Sequence, residues 1–462
     1  MPARASKMGM DLCTGPFLKK IILYTLPIIA TSLLQLLFNA ADLVVVGQFR
    51  GPNAVSAVGS TGSLINLIVG LFMGLSIGVG VCVAQAVGAR DNARMSRAVH
   101  TALPAAAICG AFLTVVGICF CRFFLELMDT PIAVIDGATI YMQIYFAGII
   151  PILLYNFGAA ILRSAGDSKS PLVYLVIAGT VNVCLNMIFV LVMGMSVEGV
   201  ALATTLSQVL SCFLVLRKLS LREDGCRLEL KKLKIHTPTL MKIIRVGLPA
   251  GIQGTLFAIS NVTIQSSINS FGEVVLSGST AAANIEGFVY MAMNSFQQSA
   301  TTFVGQNMGA RRYKNLGRIV GLCIACTATV GIVTGGGAFL FAEQLLPLYL
   351  KTDVQAIGYG VTRMQYVCLL YFLCGMMDVL SGAMRGMGQA IVPMIVAIVG
   401  ACLLRVVWVM TIFKAVPTLD CLFLSYPVSW VITVSAMLLC FMHLWRRTMK
   451  NNIDSSAVPQ DA

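Results

Sequence analysis

Apolar segments of about 20 residues, the length that spans roughly 30 Å of hydrocarbon as a helix, follow one another along the whole chain. Twelve recur, at approximately 17–46, 53–83, 96–123, 132–161, 171–194, 197–216, 240–270, 280–306, 316–343, 354–381, 390–413 and 420–444. A backbone inside a bilayer has to satisfy its own polar groups, so a chain patterned this way folds as a bundle of transmembrane helices. The composition agrees: 58% of residues are hydrophobic and 11% charged, where a soluble domain carries roughly 25% charged residues. The first run is too long for a signal-peptide core and lacks a small-residue cleavage site, so it is expected to remain as the first span.

The net charge of +13 could point to a nucleic acid, and the distribution of the charge decides against it. With twelve spans and a cytoplasmic start, most of the 32 Lys and Arg residues fall on the starting side, the bias that orients membrane helices. This predicts a multi-pass protein of the cytoplasmic membrane with both termini cytoplasmic. Nine basic residues lie from Arg217 to Arg245, across the loop after the sixth run and the first residues of the seventh, without interleaved aromatics. That loop reads as topogenic charge in contact with anionic lipid, so the bilayer is the expected partner and no nucleic acid is. The 15 cysteines lie mostly inside apolar segments, and the Cys323–Cys326 pair has no second pair or nearby His to complete a site. His100, His236 and His443 are scattered, so no metal or cofactor is expected. Nothing supplies the clustered catalytic groups of an enzyme.

The halves of the chain repeat. "VAQAVGAR" (83–90) and "VGQNMGAR" (304–311) align Gln85 with Gln306 and Gly88 with Gly309; "LRSAGDSKSP" (162–171) and "MRGMGQAIVP" (384–393) align Arg163 with Arg385, Gly166 with Gly388 and Pro171 with Pro393. Pro27 of "TLPIIA" likewise pairs with Pro249 of "GLPAGI". Six spans per unit is an even number, so both units enter from the same side and the repeat is parallel. The expected organisation is an N-terminal six-helix lobe over 1–216, a basic cytoplasmic linker over 217–239, a C-terminal six-helix lobe over 240–446 and a polar tail over 447–462. Two such bundles facing across a cleft suit alternating access, and favour a transporter of small molecules over a channel, acting as a monomer.

Ionised groups are costly within a span, so each is a candidate functional residue. Asp42, Glu286, Asp378 and Arg405 stand out. At about 100° per residue, Gln35, Asn39 and Asp42 share one helix face, a polar stripe in an apolar cylinder. Pro27, below the stripe, cannot donate its backbone hydrogen bond and should weaken or bend the helix. Asn182 and Asn186 in the fifth run, with Thr204, Thr205, Ser207 and Gln208 in the sixth, can hydrogen-bond Asp42 in either protonation state. A carboxylate able to exchange protons is what a proton-coupled carrier needs. In the second half, Glu286 and Arg405 lie at similar depth and could form a buried, largely structural ion pair. Asp378, near the basic end of its span, reads as a solvated helix-end charge.

"LPIIATSLLQLLFNAADLVVVGQFRGPNAVSAVG" (26–59), both Gln-containing helix ends, "LRSAGD", "NVCLN", "ALATTLSQ" and "YPVSW" (426–430) resemble the multidrug and toxic compound extrusion (MATE) family over essentially the whole chain. The resemblance implies an all-α membrane protein of twelve helices in two six-helix lobes. It also implies efflux of mostly cationic, amphipathic compounds in exchange for protons or sodium ions. In the DinF-like branch, the coupling site would fall on Asp42, Asn182, Asn186 and Thr204; the second acid of that site is replaced here by Asn186. In the NorM-like branch, a Glu about eight residues after the seventh-helix proline takes part, and Phe257 stands there instead. Asp378 also lies about one turn from the corresponding tenth-helix Asp. These departures favour proton over sodium coupling. A lipid-linked sugar flippase of related layout would need cationic side chains lining its cleft, and the interiors of the first-lobe spans offer none. The major facilitator signature is also missing where the loop reads "GARDNARMSR".

Overall fold

The computed structural model describes residues 9–128, 130–351 and 353–456. Every apolar run becomes helix. In chain order these are α1 (Phe17–Arg50), α2 (Pro52–Gly88), α3 (Asn92–Leu127), α4 (Ile132–Ala147), α5 (Ile149–Ser164), α6 (Lys169–Met187, continued by a π-helical turn to Val192) and α7 (Val197–Ser220). Then follow α8 (Thr237–Asn269), α9 (Glu273–Gly309), α10 (Lys314–Leu340), the short α11 (Ala342–Leu345) and α12 (Pro347–Leu350), α13 (Val354–Val367) and α14 (Tyr371–Gly386). The chain closes with α15 (Ile391–Ala397), α16 (Leu404–Trp408), each followed by a π-helical turn, and α17 (Leu419–Ser456). Among the described residues nine helices are long and apolar enough to cross a membrane, or eleven when two bent pairs each count as one span. The remaining run is α9, 37 residues long, whose polar side chains Ser279, Glu286, Ser295 and Ser299 are buried in protein.

The run at 132–161 is not one straight span. It bends by 51° at Gly148, between α4 and α5. Pro151, three positions into α5, has no N–H to continue the ladder, and hydroxyls of neighbouring helices add bonds to carbonyls at the end of α4. Thr114 of α3 donates to the Phe146 carbonyl at 2.9 Å, and Thr205 of α7 donates to that of Ile144 at 3.4 Å. The run at 354–381 bends by 45° between α13 and α14. Other backbone features recur in the same register: positive φ at Gly51 and Gly272, at Arg90 and Arg311, and at Gly166 and Gly388.

Two compact units emerge, one of Met1–Asp11 with Leu26–Gly251, the other of Leu12–Thr25 with Ile252–Ala462. In the first, α2 and α5 pack with α3, α4 and α7 around Met142, Phe146, Ile149, Leu153 and Phe157, all fully buried. In the second, α9 packs against α10, α13 and α14, and α14 against α17. The helices α1 and α8 each pass from one unit to the other, at Thr25/Leu26 and at Gly251/Ile252, beside the repeat prolines Pro27 and Pro249. Helix α1 is nonetheless unbroken through Pro27. Thr31 donates its hydroxyl to the Pro27 carbonyl at 2.8 Å, a back-bond one turn on from the proline. The helix-end motif at 304–311 and the turn after it anchor the segment before α1, with Asn307 donating to the Leu12 carbonyl at 3.1 Å and Arg312 to that of Cys13 at 2.8 Å.

Candidate coupling site and buried charges

In the first unit Asp42 is buried, 8% exposed, and is the one carboxylate on α1. Its close fit against α6 depends on Gly179, where any Cβ would run into the Phe38 ring. With α6 that near, Asn186 donates its side-chain amide to Asp42 Oδ1 at 2.5 Å. Thr204 of α7 donates its hydroxyl to Oδ2 at 3.2 Å. Asn182, one turn before Asn186, joins the pair: its Oδ1 accepts from Asn186 at 3.3 Å and its amide donates to Thr204 at 3.4 Å. Tyr141 of α4, also buried, stands within electrostatic range of the carboxylate. A π-helical turn begins two residues after Asn186, the kind of local irregularity that re-aims side chains at functional positions.

The four residues singled out by the sequence, Asp42, Asn182, Asn186 and Thr204, thus meet in one hydrogen-bonded cluster. Gln35 and Asn39, on the same stripe of α1, are exposed and stand outside it. The groups bonded to Asp42 are neutral, and one carboxylate with two amides and a hydroxyl presents only oxygen acceptors to an incoming ion. Such a set suits a proton or a small hard cation. Asn186 Oδ1 is buried and accepts no hydrogen bond among the described residues, so the amide holds an acceptor in reserve. An ionised Asp42 uses the amide N–H; a protonated Asp42 needs an acceptor, and the other end of the same amide is one.

The second unit holds more charge than the sequence reading assigned to it. Glu286 does not pair with Arg405. Its carboxylate takes both forks of Arg363, Nε to Oε1 and Nη2 to Oε2, each at 2.8 Å, and Arg363 Nη1 donates to Ser279 at 2.8 Å. The reason is packing: α13, which carries Arg363, lies directly against α9. Arg405 instead donates to Ser429 at 2.9 Å and lies over the rings of Tyr426 and Trp430, with centroid distances of 4.5 and 5.6 Å. The aromatic faces compensate a cation that has no carboxylate partner among the described residues. Tyr290, Tyr371 and Trp430 stack in series beside it.

Asp378 is not a solvated helix-end charge either; it is 6% exposed. Asn294 donates to its Oδ2 at 3.5 Å, the Tyr290 hydroxyl bonds to it, and Arg385 acts on it electrostatically. Arg385, the residue matched to Arg163 in the repeat, is buried inside the unit and donates to Gln253 at 2.8 Å. Arg363, Tyr290 and Asn294 are the site residues that sequence reasoning missed. Arg363 lies in the same apolar run as Asp378, nine residues beyond its start, and reads there as a charge able to snorkel to the interface. The signal that could have found it was the need of Glu286 for a partner. Among the described residues no group of three or more His, Cys, Asp or Glu side chains is arranged to hold a metal ion.

The profile of the MatE family matches this chain twice, over residues 27–188 and 249–411, each match beginning at one of the repeat prolines. The chain is 26% identical over 442 residues to the "Probable multidrug resistance protein YoeA" of Bacillus subtilis (strain 168), with 93% of this chain and 94% of that protein covered. It is 23% identical over 401 residues to the "Probable multidrug resistance protein NorM" of Thermotoga maritima, with 82% of each covered. A solved structure described as the outward-facing conformation of a multidrug resistance MATE family transporter of the MOP superfamily superposes with a TM-score of 0.89 at 22% identity. It covers 97% of this chain and 100% of that one. The twelve-helix, two-lobe fold is therefore shared.

Proposed function

Since the chain belongs to the MatE family of multidrug efflux transporters, we propose that it exports organic, mostly cationic amphipathic compounds in exchange for protons, with Asp42 as the coupling residue. The observation that carries this reading is a single buried carboxylate bonded to neutral donors only, Asn186 and Thr204. A buried charge with no countercharge is neutralised at least cost by taking up a proton. Protonation turns Asp42 from a double acceptor into a donor, and the Asn186 and Thr204 contacts have to rearrange.

That rearrangement is the coupling step. Asp42 lies on α1, which passes between the two units beside Pro27, so a change in how α6 and α7 hold Asp42 acts on a helix softened below it. Proton and cargo need only favour different states of that element for exchange to follow, and the cargo site is exposed to one side of the membrane at a time. Asn182 positions both Asn186 and Thr204. The protein works in the cytoplasmic membrane as a monomer, with both termini cytoplasmic.

A second reading, sodium coupling, is favoured by one observation: Asp378 is buried in the second unit among Asn294 and Tyr290, another oxygen-rich nest. The two are separated by loading vesicles with a cationic dye and imposing a proton gradient or a sodium gradient, each alone. Proton coupling through Asp42 predicts efflux with the proton gradient and its loss in Asp42→Asn. Undiminished proton-driven efflux in that variant sinks the assignment.

A further inference from the structure

The segment between α7 and α8 is not a loose tether. Leu228 N–H donates to the Leu219 carbonyl at 3.0 Å, and Glu229 N–H to His100 Nε2 at 3.1 Å. Lys234 N–H donates to the His100 carbonyl at 3.3 Å, and His236 N–H to the Thr101 hydroxyl at 3.1 Å. The His100 carbonyl is free to accept because Pro104, four residues on, has no N–H to offer it. A proline inside α3 therefore creates the acceptor to which the linker is pinned.

Between those pins the linker arches over a cavity of about 510 Å³, within the roughly 300–1,000 Å³ range of small-ligand sites. Leu103, Pro104 and Ala107 of α3, Leu154 of α5 and Leu216 of α7 form its floor, and Leu228, Leu230, Leu233 and Ile235 its roof. Lys234 is the charged residue of its wall. Leu230 is 74% exposed, so the roof presents apolar surface outward as well. Lys231 is exposed beside it; Lys232 is engaged by Glu229 at 2.9 Å, whereas Lys231 and Lys234 carry no ion pair among the described residues. An apolar pocket at the ends of membrane helices, with Lys234 in its wall and Lys231 exposed next to Leu230 of its roof, is complementary to an anionic amphiphile with a hydrocarbon tail.

We propose that this cavity takes an acyl chain of an anionic phospholipid from the leaflet on the basic side, with the lipid phosphate held by Lys231 and Lys234. The lipid would thereby fasten the linker to α3, α5 and α7.

The test uses the full chain, purified and delipidated in detergent, with native mass spectrometry counting adducts of palmitoyl-oleoyl phosphatidylglycerol or the phosphatidylcholine of the same chains. Wild-type protein is expected to retain phosphatidylglycerol over phosphatidylcholine. Lys231→Gln with Lys234→Gln should weaken retention about five-fold for each lysine removed, the worth of one basic side chain at an anionic surface. Ala107→Trp, which fills the cavity, should abolish the adduct; both lysines are exposed, so the double variant remains informative if the Trp variant misfolds. Glycerol 3-phosphate, a headgroup without a chain, should not compete. Equal retention of the two lipids, wild-type retention by the lysine variant, or full competition by glycerol 3-phosphate overturns the proposal.

Discussion

Arg363→Met isolates the energetics of the buried ion pair. The substitution keeps a long flexible stem and removes the guanidinium, stripping Glu286 of two bonds at 2.8 Å and Ser279 of a third. Both side chains of the pair are only 7% exposed, so water cannot replace what is lost. Breaking a buried pair from one side costs about 3–5 kcal/mol, because the orphaned carboxylate bears its full desolvation penalty. The pair as a whole is worth much less, since its attraction is largely spent on desolvating two ions. Glu286→Gln added to Arg363→Met should therefore recover most of the loss. The assay is a double-mutant cycle by thermal unfolding of purified protein in one detergent, with proton-driven dye efflux followed in parallel. With coupling at Asp42, the double variant should regain efflux along with stability. An Arg363→Met protein as stable as wild type, or single-variant losses that simply add, would refute the reasoning.

Gly179→Ala should cost about 1–3 kcal/mol by overpacking, because the new Cβ meets the Phe38 ring, and Phe38→Leu should restore part of it; unfolding temperatures of the three proteins decide. Thr204→Val keeps the shape of the side chain and removes the donor to Asp42 Oδ2, so proton-gradient efflux should fall several-fold while Thr204→Ser retains it, measured in the same vesicles. In the linker, burial opposes the charge of Asp224, but the hydrogen bonds and charge of Arg222 prevail and hold its carboxyl below the usual carboxylate range. A lowered value means that this contact stabilises fully above about pH 4 and fades as pH falls through it. Hydrogen exchange over residues 222–228, corrected for intrinsic rates, should show protection lost on acidification in wild type and already absent at neutral pH in Asp224→Asn.

The bilayer made much of this molecule legible. A run of about 20 apolar residues has one outcome in hydrocarbon, so the helices could be placed from length alone, and the pairing of Pro27 with Pro249 revealed the repeat before any contact was known. A lone carboxylate on α1 and two Asn residues one turn apart on α6 are strong local signals, since each would be too costly to face lipid. Partner choice was another matter. Sequence depth matched Glu286 to Arg405, and only the packing of α13 against α9 assigned it Arg363, across 77 positions of sequence, and left Arg405 to Tyr426 and Trp430. The burial of Asp378, the bend at Gly148, the passage of α1 and α8 between units and the pinning of Lys234 to a carbonyl freed by Pro104 share that origin. Apolar length and polar rarity are local properties that a sequence carries openly. Which buried charge meets which, and where a linker comes to rest, are decided by helices that approach one another only in three dimensions.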